Sequence, residues 1–137
     1  MTTLIFDASS ALKLVTNEPG SEQARVEFAA APDPTVLDWT ALEVANALWK
    51  RVRRGETSPE QASLALEAFE LLGFSVVAAA EYTRLALAIG IERQHPVYDC
   101  AYLAVATRMR ATLATSDARL RDVAGASGVA VIWIGET

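Results

Sequence analysis

Residues 3–14, TLIFDASSALKL, decide the fold. A strand-like run, TLIF, ends at a single acid, Asp7, and the helix-compatible ASSALKL follows at once. A short run that does not alternate polar and apolar residues suits a strand covered on both faces, as in a parallel sheet. Working outward, runs of the same kind stand at 35–37, 74–77, 112–115 and 129–134. Between them lie helical patterns at 21–31, 40–54, 58–72, 80–89, 97–110 and 118–124. Ser58-Pro59-Glu60-Gln61 supplies an N-cap, a proline at the first helical position and a capping-box glutamine, while Gly55, Gly73 and Gly125 read as helix stops. Alternation over the whole length predicts one α/β domain, residues 1–137, with helices on both faces of a short, mostly parallel sheet. The breaks at 18–20, 32–34 and 54–56 are turns within that domain, and there is no internal repeat or linker. In such a sheet the ligand crevice lies beyond the carboxyl ends of the strands, where strand order reverses.

Composition narrows the chemistry. Of 137 residues 52% are hydrophobic and 21% charged, which is the balance of a globular chain with a real core. The net charge of -5 argues against a sequence-independent nucleic-acid coat, whose affinity comes from Lys and Arg neutralising phosphates. Cys100 is the only cysteine, so neither an intrachain disulfide nor a zinc–thiolate cluster can form, and it reads as a small buried hydrophobe. The opening MTTLIFDASS has no basic leader pattern and no run reaches the roughly 18 apolar residues of a membrane span, so the expected location is the cytoplasm. A single histidine, His95 in a turn before Pro96, rules out a two-histidine acid–base mechanism. No phosphate-cradling glycine loop and no G-x-S-x-G elbow is present.

What remains is a set of four acids, Asp7, Glu43, Asp99 and Asp117, each at the start of a helical pattern. Each has an ordinary structural use. Asp7 could cap the first helix; Thr40-x-x-Glu43 reads as a capping box. Asp99 sits in a first turn where negative charge favours the macrodipole, and Ser116 or Asp117 could cap the last helix. Helix caps of a doubly wound fold all lie on one sheet edge, so gathering alone does not decide. Redundancy favours function: Thr40 and Ser116 are available as caps, and Asp99 stands among Val97, Tyr98, Cys100, Ala101 and Leu103, where a charge is costly unless paired or metal-bound. Clustered carboxylate oxygens suit Mg²⁺ or Mn²⁺.

LIFDASSALKLVTNEPG, LEVANAL, YDCAYLAVA and LATSDARL, in this order and spacing, resemble the motifs of PIN-domain ribonucleases, and specifically the VapC-type toxins of toxin–antitoxin pairs. The resemblance covers essentially the whole chain. It implies a three-layer α/β/α fold and a Mg²⁺- or Mn²⁺-dependent endoribonuclease that leaves a 5′ phosphate. Asp7, Glu43, Asp99 and Asp117 would be the metal-binding and catalytic acids, with Ser9 and Thr115 lining the pocket. Two departures are mild: Cys100 replaces the more usual small residue after the third acid, and Asp122 adds a carboxylate one turn beyond Asp117, expected to be a solvated helix residue. The family also implies a homodimer and a cognate antitoxin laid over the acidic groove; with no DNA-binding motif in the chain, any DNA contact would come through the antitoxin. A degenerate PIN domain that binds RNA or protein without cutting is the alternative, and the presence of all four acids counts against it.

Phosphate-binding groups are expected around the pocket at Lys13, Arg119 and Arg121, with Lys50, Arg51, Arg53 and Arg54 closing the glutamate helix, where they equally complement its C-terminus. The helix at 58–72 carries more apolar residues than one core stripe needs, and Trp39 and Trp49 flank the helix before it, so an interaction surface is expected there beside core packing. A phosphatase or phosphoacceptor is disfavoured because position 9 is Ser9 and no lysine follows Lys50.

Overall fold

The strands β1 (Leu4–Phe6), β2 (Thr35–Leu37), β3 (Ser75–Val77), β4 (Thr112–Thr115) and β5 (Val131–Trp133) make one parallel sheet in the order β3-β2-β1-β4-β5. This is a computed structural model; it describes residues 2–135, and Met1, Glu136 and Thr137 lie outside the described residues. The helices are α1 (Ala8–Leu14), α2 (Ser21–Ala30), α3 (Thr40–Arg53), α4 (Pro59–Glu70), α5 (Thr83–Arg93), α6 (Val97–Met109) and α7 (Ala118–Ala126), with a 3₁₀ turn at Ala79–Tyr82. Successive strand residues point to opposite faces. Leu4, Phe6, Val36 and Ala114 pack with residues of α1–α4, whereas Ile5, Leu37 and Leu113 pack with residues of α5–α7. Both faces are therefore covered, which explains the unbroken apolar runs and gives the three layers expected. No described helix is long and apolar enough to cross a membrane.

From β1 the chain moves outward to β2 and β3, then crosses back to place β4 on the other side of β1. Strand order thus reverses between β1 and β4. Ile5 is in register with Leu113 and Phe6 with Ala114, so Asp7 and Thr115 emerge side by side at that reversal.

Two helix ends differ from the sequence expectation, and glycine explains both. Gly90 does not stop α5, which continues to Arg93; a Cβ there would lie 2.9 Å from the His95 carbonyl oxygen, so the glycine permits close approach to the start of α6. Likewise α7 runs through Gly125 to Ala126, and Gly128 takes the left-handed turn at φ 78 instead. The capping box at Ser58 and Gln61 forms as expected.

Glu18 ties the α1–α2 turn to α3. Arg51 donates to both of its carboxylate oxygens, at 2.7 and 3.2 Å, and Lys13 donates at 3.1 Å. Burial alone would raise the Glu18 carboxyl, but the Arg51 and Lys13 hydrogen bonds and charges outweigh it and hold it down to about 2. Because the folded value lies below the ordinary 4.5, this stabilisation is present above pH 4.5 and is lost as pH falls toward 2. Glu18→Gln is expected to destabilise by about 1 kcal/mol, a few degrees of melting temperature, at pH 7. Melts of both proteins across pH should converge near pH 2; a constant gap would show that packing, not charge, is what Glu18 supplies.

Candidate functional site

Asp7 leaves β1 almost fully buried and caps α1, its Oδ1 accepting from the Ser10 N–H at 2.9 Å and the Ser9 hydroxyl at 2.7 Å. Its Oδ2 accepts from the Thr115 hydroxyl at 2.5 Å. These donors are themselves held from the β4–α7 turn: the Ser116 N–H donates to Ser9 Oγ at 2.9 Å, and the Asp117 N–H donates to Thr115 Oγ1 at 3.0 Å. Two hydroxyl bridges therefore lock the Asp7 carboxylate to the turn that carries Asp117. Burial raises the Asp7 carboxyl above its ordinary 3.8, and the hydroxyl and amide donors oppose that only in part.

Glu43 projects from the first turn of α3. Its carboxyl is raised by burial and then by the negative charges of Asp7 and Asp99, while the Tyr102 hydroxyl, donating to Oε1 at 2.5 Å, opposes the rise. Glu43 thus lies within electrostatic reach of both Asp7 and Asp99. Asp99, in the first turn of α6, accepts from His95 Nε2 at 2.8 Å. His95 is itself buried, and the partner of its ring is one of the four acids. Asp117 joins through Thr115 rather than by direct contact with the other carboxylates.

The structure corrects two of the redundancy arguments. Thr40 is not the cap of α3: Trp39 occupies that position without a side-chain bond, and the Thr40 hydroxyl turns inward, accepting from Leu37 N–H at 3.0 Å and meeting Tyr102 Oη at 2.7 Å. Glu43 is thereby free of capping duty altogether. Asp117 is itself the cap of α7, its Oδ1 accepting from the N–H groups of Arg119 and Leu120. Ser116 does not share that task; its hydroxyl is buried with no partner among the described residues. For Asp117, capping and proximity to the site coexist, one oxygen serving the helix.

Around this centre the basic residues divide. Arg119 stands exposed just past Asp117 with only its backbone N–H engaged among the described residues. Arg121 is paired with Asp122 at 3.2 Å and lies over the Trp133 ring at 4.5 Å, so its guanidinium is already engaged at the surface. Asp122 is solvated, as expected. Lys13 turns away from the acids toward Glu18 and the Pro19 carbonyl, although it lines a cavity with Ser9, Arg51 and Ser116. Cys100 is fully buried. On the other side of Glu43, a cavity of about 640 Å³ is lined by Trp39, Leu42, Asn46, Lys50 and Tyr98, with Leu42 and Tyr98 largely exposed. Tyr102 escaped the sequence reading because the only local signal was its place one turn after Asp99, facing the core.

Among the described residues no three His, Cys, Asp or Glu side chains are gathered closely enough to form a cation site on their own. The donor set nevertheless fits a hard divalent ion. All the donors are carboxylate oxygens, Glu43 carries a charge penalty imposed by Asp7 and Asp99 that a cation would relieve, and Mg²⁺ keeps several waters and needs only one or two direct carboxylates.

A model of the PIN domain matches residues 4–126. The ribonuclease VapC3 of Pyrobaculum aerophilum is 38% identical over 123 residues, covering 87% of this chain and 92% of that protein. Among solved structures, PAE2754 from Pyrobaculum aerophilum superposes with a TM-score of 0.72 at 25% identity, over 95% of this chain and 83% of that one. VapC20 of Mycobacterium tuberculosis, described as a sarcin-ricin loop cleaving toxin, superposes with a TM-score of 0.67 at 17% identity, over 97% of this chain and 99% of that one.

Proposed function

The chain belongs to the PIN-domain family, in its VapC-like branch, and from that premise we propose that it is a divalent-metal-dependent endoribonuclease acting as the toxin of a toxin–antitoxin pair. The observation that supports this reading is Asp7 emerging beside Thr115 at the point where strand order reverses, bonded through Thr115 to the turn that carries Asp117, with Glu43 within electrostatic reach of Asp7 and Asp99. That is where open α/β sheets bind ligands. The similarity to a ribonuclease at 38% identity supports the same activity.

Asp7, Glu43, Asp99 and Asp117 would hold Mg²⁺ or Mn²⁺. When bound, such an ion offsets charge on the phosphoryl oxygens and lowers the pKa of a coordinated water. One carboxylate of the set would orient the attacking water and accept its proton. Ser9 and Thr115 keep Asp7 in place by their hydroxyl bridges. Arg119, exposed beside Asp117, would neutralise an RNA phosphate, and Lys13, although bonded to Glu18 and the Pro19 carbonyl, borders the cavity that Ser9 and Ser116 line. Arg119→Ala is expected to raise KM for RNA about tenfold with kcat little changed. Steady-state kinetics on one cleaved RNA checks this; a fall in kcat with KM constant would make Arg119 a transition-state contact instead.

The antitoxin would cover the groove beside Glu43, where Leu42 is 74% and Tyr98 71% exposed around the apolar cavity. Exposed Trp49, Leu64 and Leu71 on α3 and α4 and just beyond α4 are candidates for the homodimer contact. The deciding experiment is cleavage of a mixed structured RNA pool with Mg²⁺, Mn²⁺ or EDTA, alongside Asp99→Asn. Metal-dependent cutting lost in the variant supports the nuclease. Neither cutting nor metal binding would replace it with a binding module.

A further inference from the structure

Counting hydrogens gives the direction of each bond that reaches Glu43. The Leu37 N–H only donates, and its acceptor is Thr40 Oγ1. The Glu43 carboxylate only accepts, so the Tyr102 hydroxyl commits its single hydrogen to Oε1. The 2.7 Å contact between Thr40 and Tyr102 must then be the Thr40 hydroxyl donating to the tyrosyl oxygen. The relay runs one way: Leu37 to Thr40, Thr40 to Tyr102, Tyr102 to Glu43.

Each member is anchored. Leu37 ends β2, Thr40 opens α3 and is fully buried, and the Tyr102 ring is buried in α6 among the residues that pack under the sheet. A glutamate has three rotatable bonds, and from the first turn of α3 it could equally swing into the apolar cavity that it lines. The hydroxyl from α6 removes that freedom. Resting on the metal-dependent reading above, we infer that Tyr102 is a positioning residue for Glu43: it fixes the carboxylate with Oε1 turned inward and leaves Oε2 as the oxygen that meets the cation. Among the described residues no hydrogen bond engages Oε2. Tyr102 touches neither ion nor RNA in this arrangement, and Thr40 acts through it in turn.

The test uses the full chain and Mn²⁺ itself, titrated calorimetrically into metal-free protein, with melting temperature and RNA kinetics measured in parallel. Groups that orient a metal ligand typically contribute 10–100-fold to affinity. Tyr102→Phe keeps the ring and removes only the hydroxyl, so Mn²⁺ affinity is expected to fall about 10–100-fold with near-ultraviolet circular dichroism unchanged. The kcat defect should shrink as Mn²⁺ is raised, a pattern that loss of packing does not produce. Thr40→Ser, which keeps the relay, should bind Mn²⁺ like the wild type, and Thr40→Val should weaken it with Tyr102→Phe. Wild-type affinity in a folded Tyr102→Phe protein, or equal affinities in Thr40→Ser and Thr40→Val, overturns the inference while leaving the nuclease reading intact. A wild-type chain that takes up no Mn²⁺ overturns both.

Discussion

RNA cleavage is expected to fall by on the order of a thousandfold in Asp7→Asn, while the metal-free protein becomes more stable rather than less. The first half follows from the several kcal/mol that a bound divalent ion contributes to phosphoryl transfer, at about 1.4 kcal/mol per tenfold in rate. Asp7 is the most enclosed of the four acids and the only one held by hydroxyls on both oxygens, so on the proposed reading its loss would remove the best-fixed of the metal-holding carboxylates. The second half follows from burial. The folded Asp7 carboxyl is raised above 3.8 by desolvation, so its contribution to stability is fully present below pH 3.8 and is lost as pH rises through the folded value. The asparagine carries no such penalty. Its Oδ1 still accepts from Ser9 and Ser10, and its amide can donate to Thr115 Oγ1, whose hydrogen then has Ser9 Oγ within 3.3 Å. Melts in EDTA should therefore show the variant ahead of the wild type at pH 7–8, with the gap closing as pH falls toward 3.8. A folded variant that still cuts RNA at the wild-type rate would remove Asp7 from the site.

The difference between what the sequence showed and what it hid is one of distance along the chain. TLIF, TVL and TLAT read as strands because both faces of each are covered, and that is a local property of a buried parallel strand. The acids were legible for a related reason: each stands where a strand or turn hands over to a helix, and a parallel sheet puts those handovers on one edge. The Thr40-x-x-Glu43 capping box was a local inference overruled by a tertiary one. Tyr102, 59 residues from Glu43, claims both side chains. At Asp117 the local rule won instead, since its carboxylate does cap α7. Arg121 looked like a free cation until Trp133 and Asp122 came into place beside it. Sequence periodicity says which face of a helix is buried; it carries no information about which distant hydroxyl will be waiting there.

The other large effect is on folding. Phe6→Ala is expected to cost about 3–5 kcal/mol, against a total stability of roughly 5–15 kcal/mol for a domain of ordinary kind. The four phenylalanines of the chain, Phe6, Phe28, Phe69 and Phe74, form one cluster. Phe6 meets Phe28 and Phe74 edge-on at 6.1 and 5.4 Å, Phe28 meets Phe74 at 5.1 Å, and Phe69 lies 5.6 Å from Phe74. The cluster joins β1, α2, α4 and the approach to β3, and Phe6 is its fully buried member on the strand between β2 and β4. Truncating it opens a void that α2 and α4 cannot close without giving up the contacts that Phe28 and Phe69 make with Phe74. The urea midpoint should drop with an unchanged slope, and Phe6→Leu should recover much of the loss. Because Asp7 is the next residue, the surviving folded fraction should also bind Mn²⁺ more weakly, which links the core on this face of the sheet to the placement of the acids. An alanine variant within 1 kcal/mol of the wild type would mean that Phe28 and Phe74 refill the space, and that β1 is held by its hydrogen bonds to β2 and β4 rather than by this cluster.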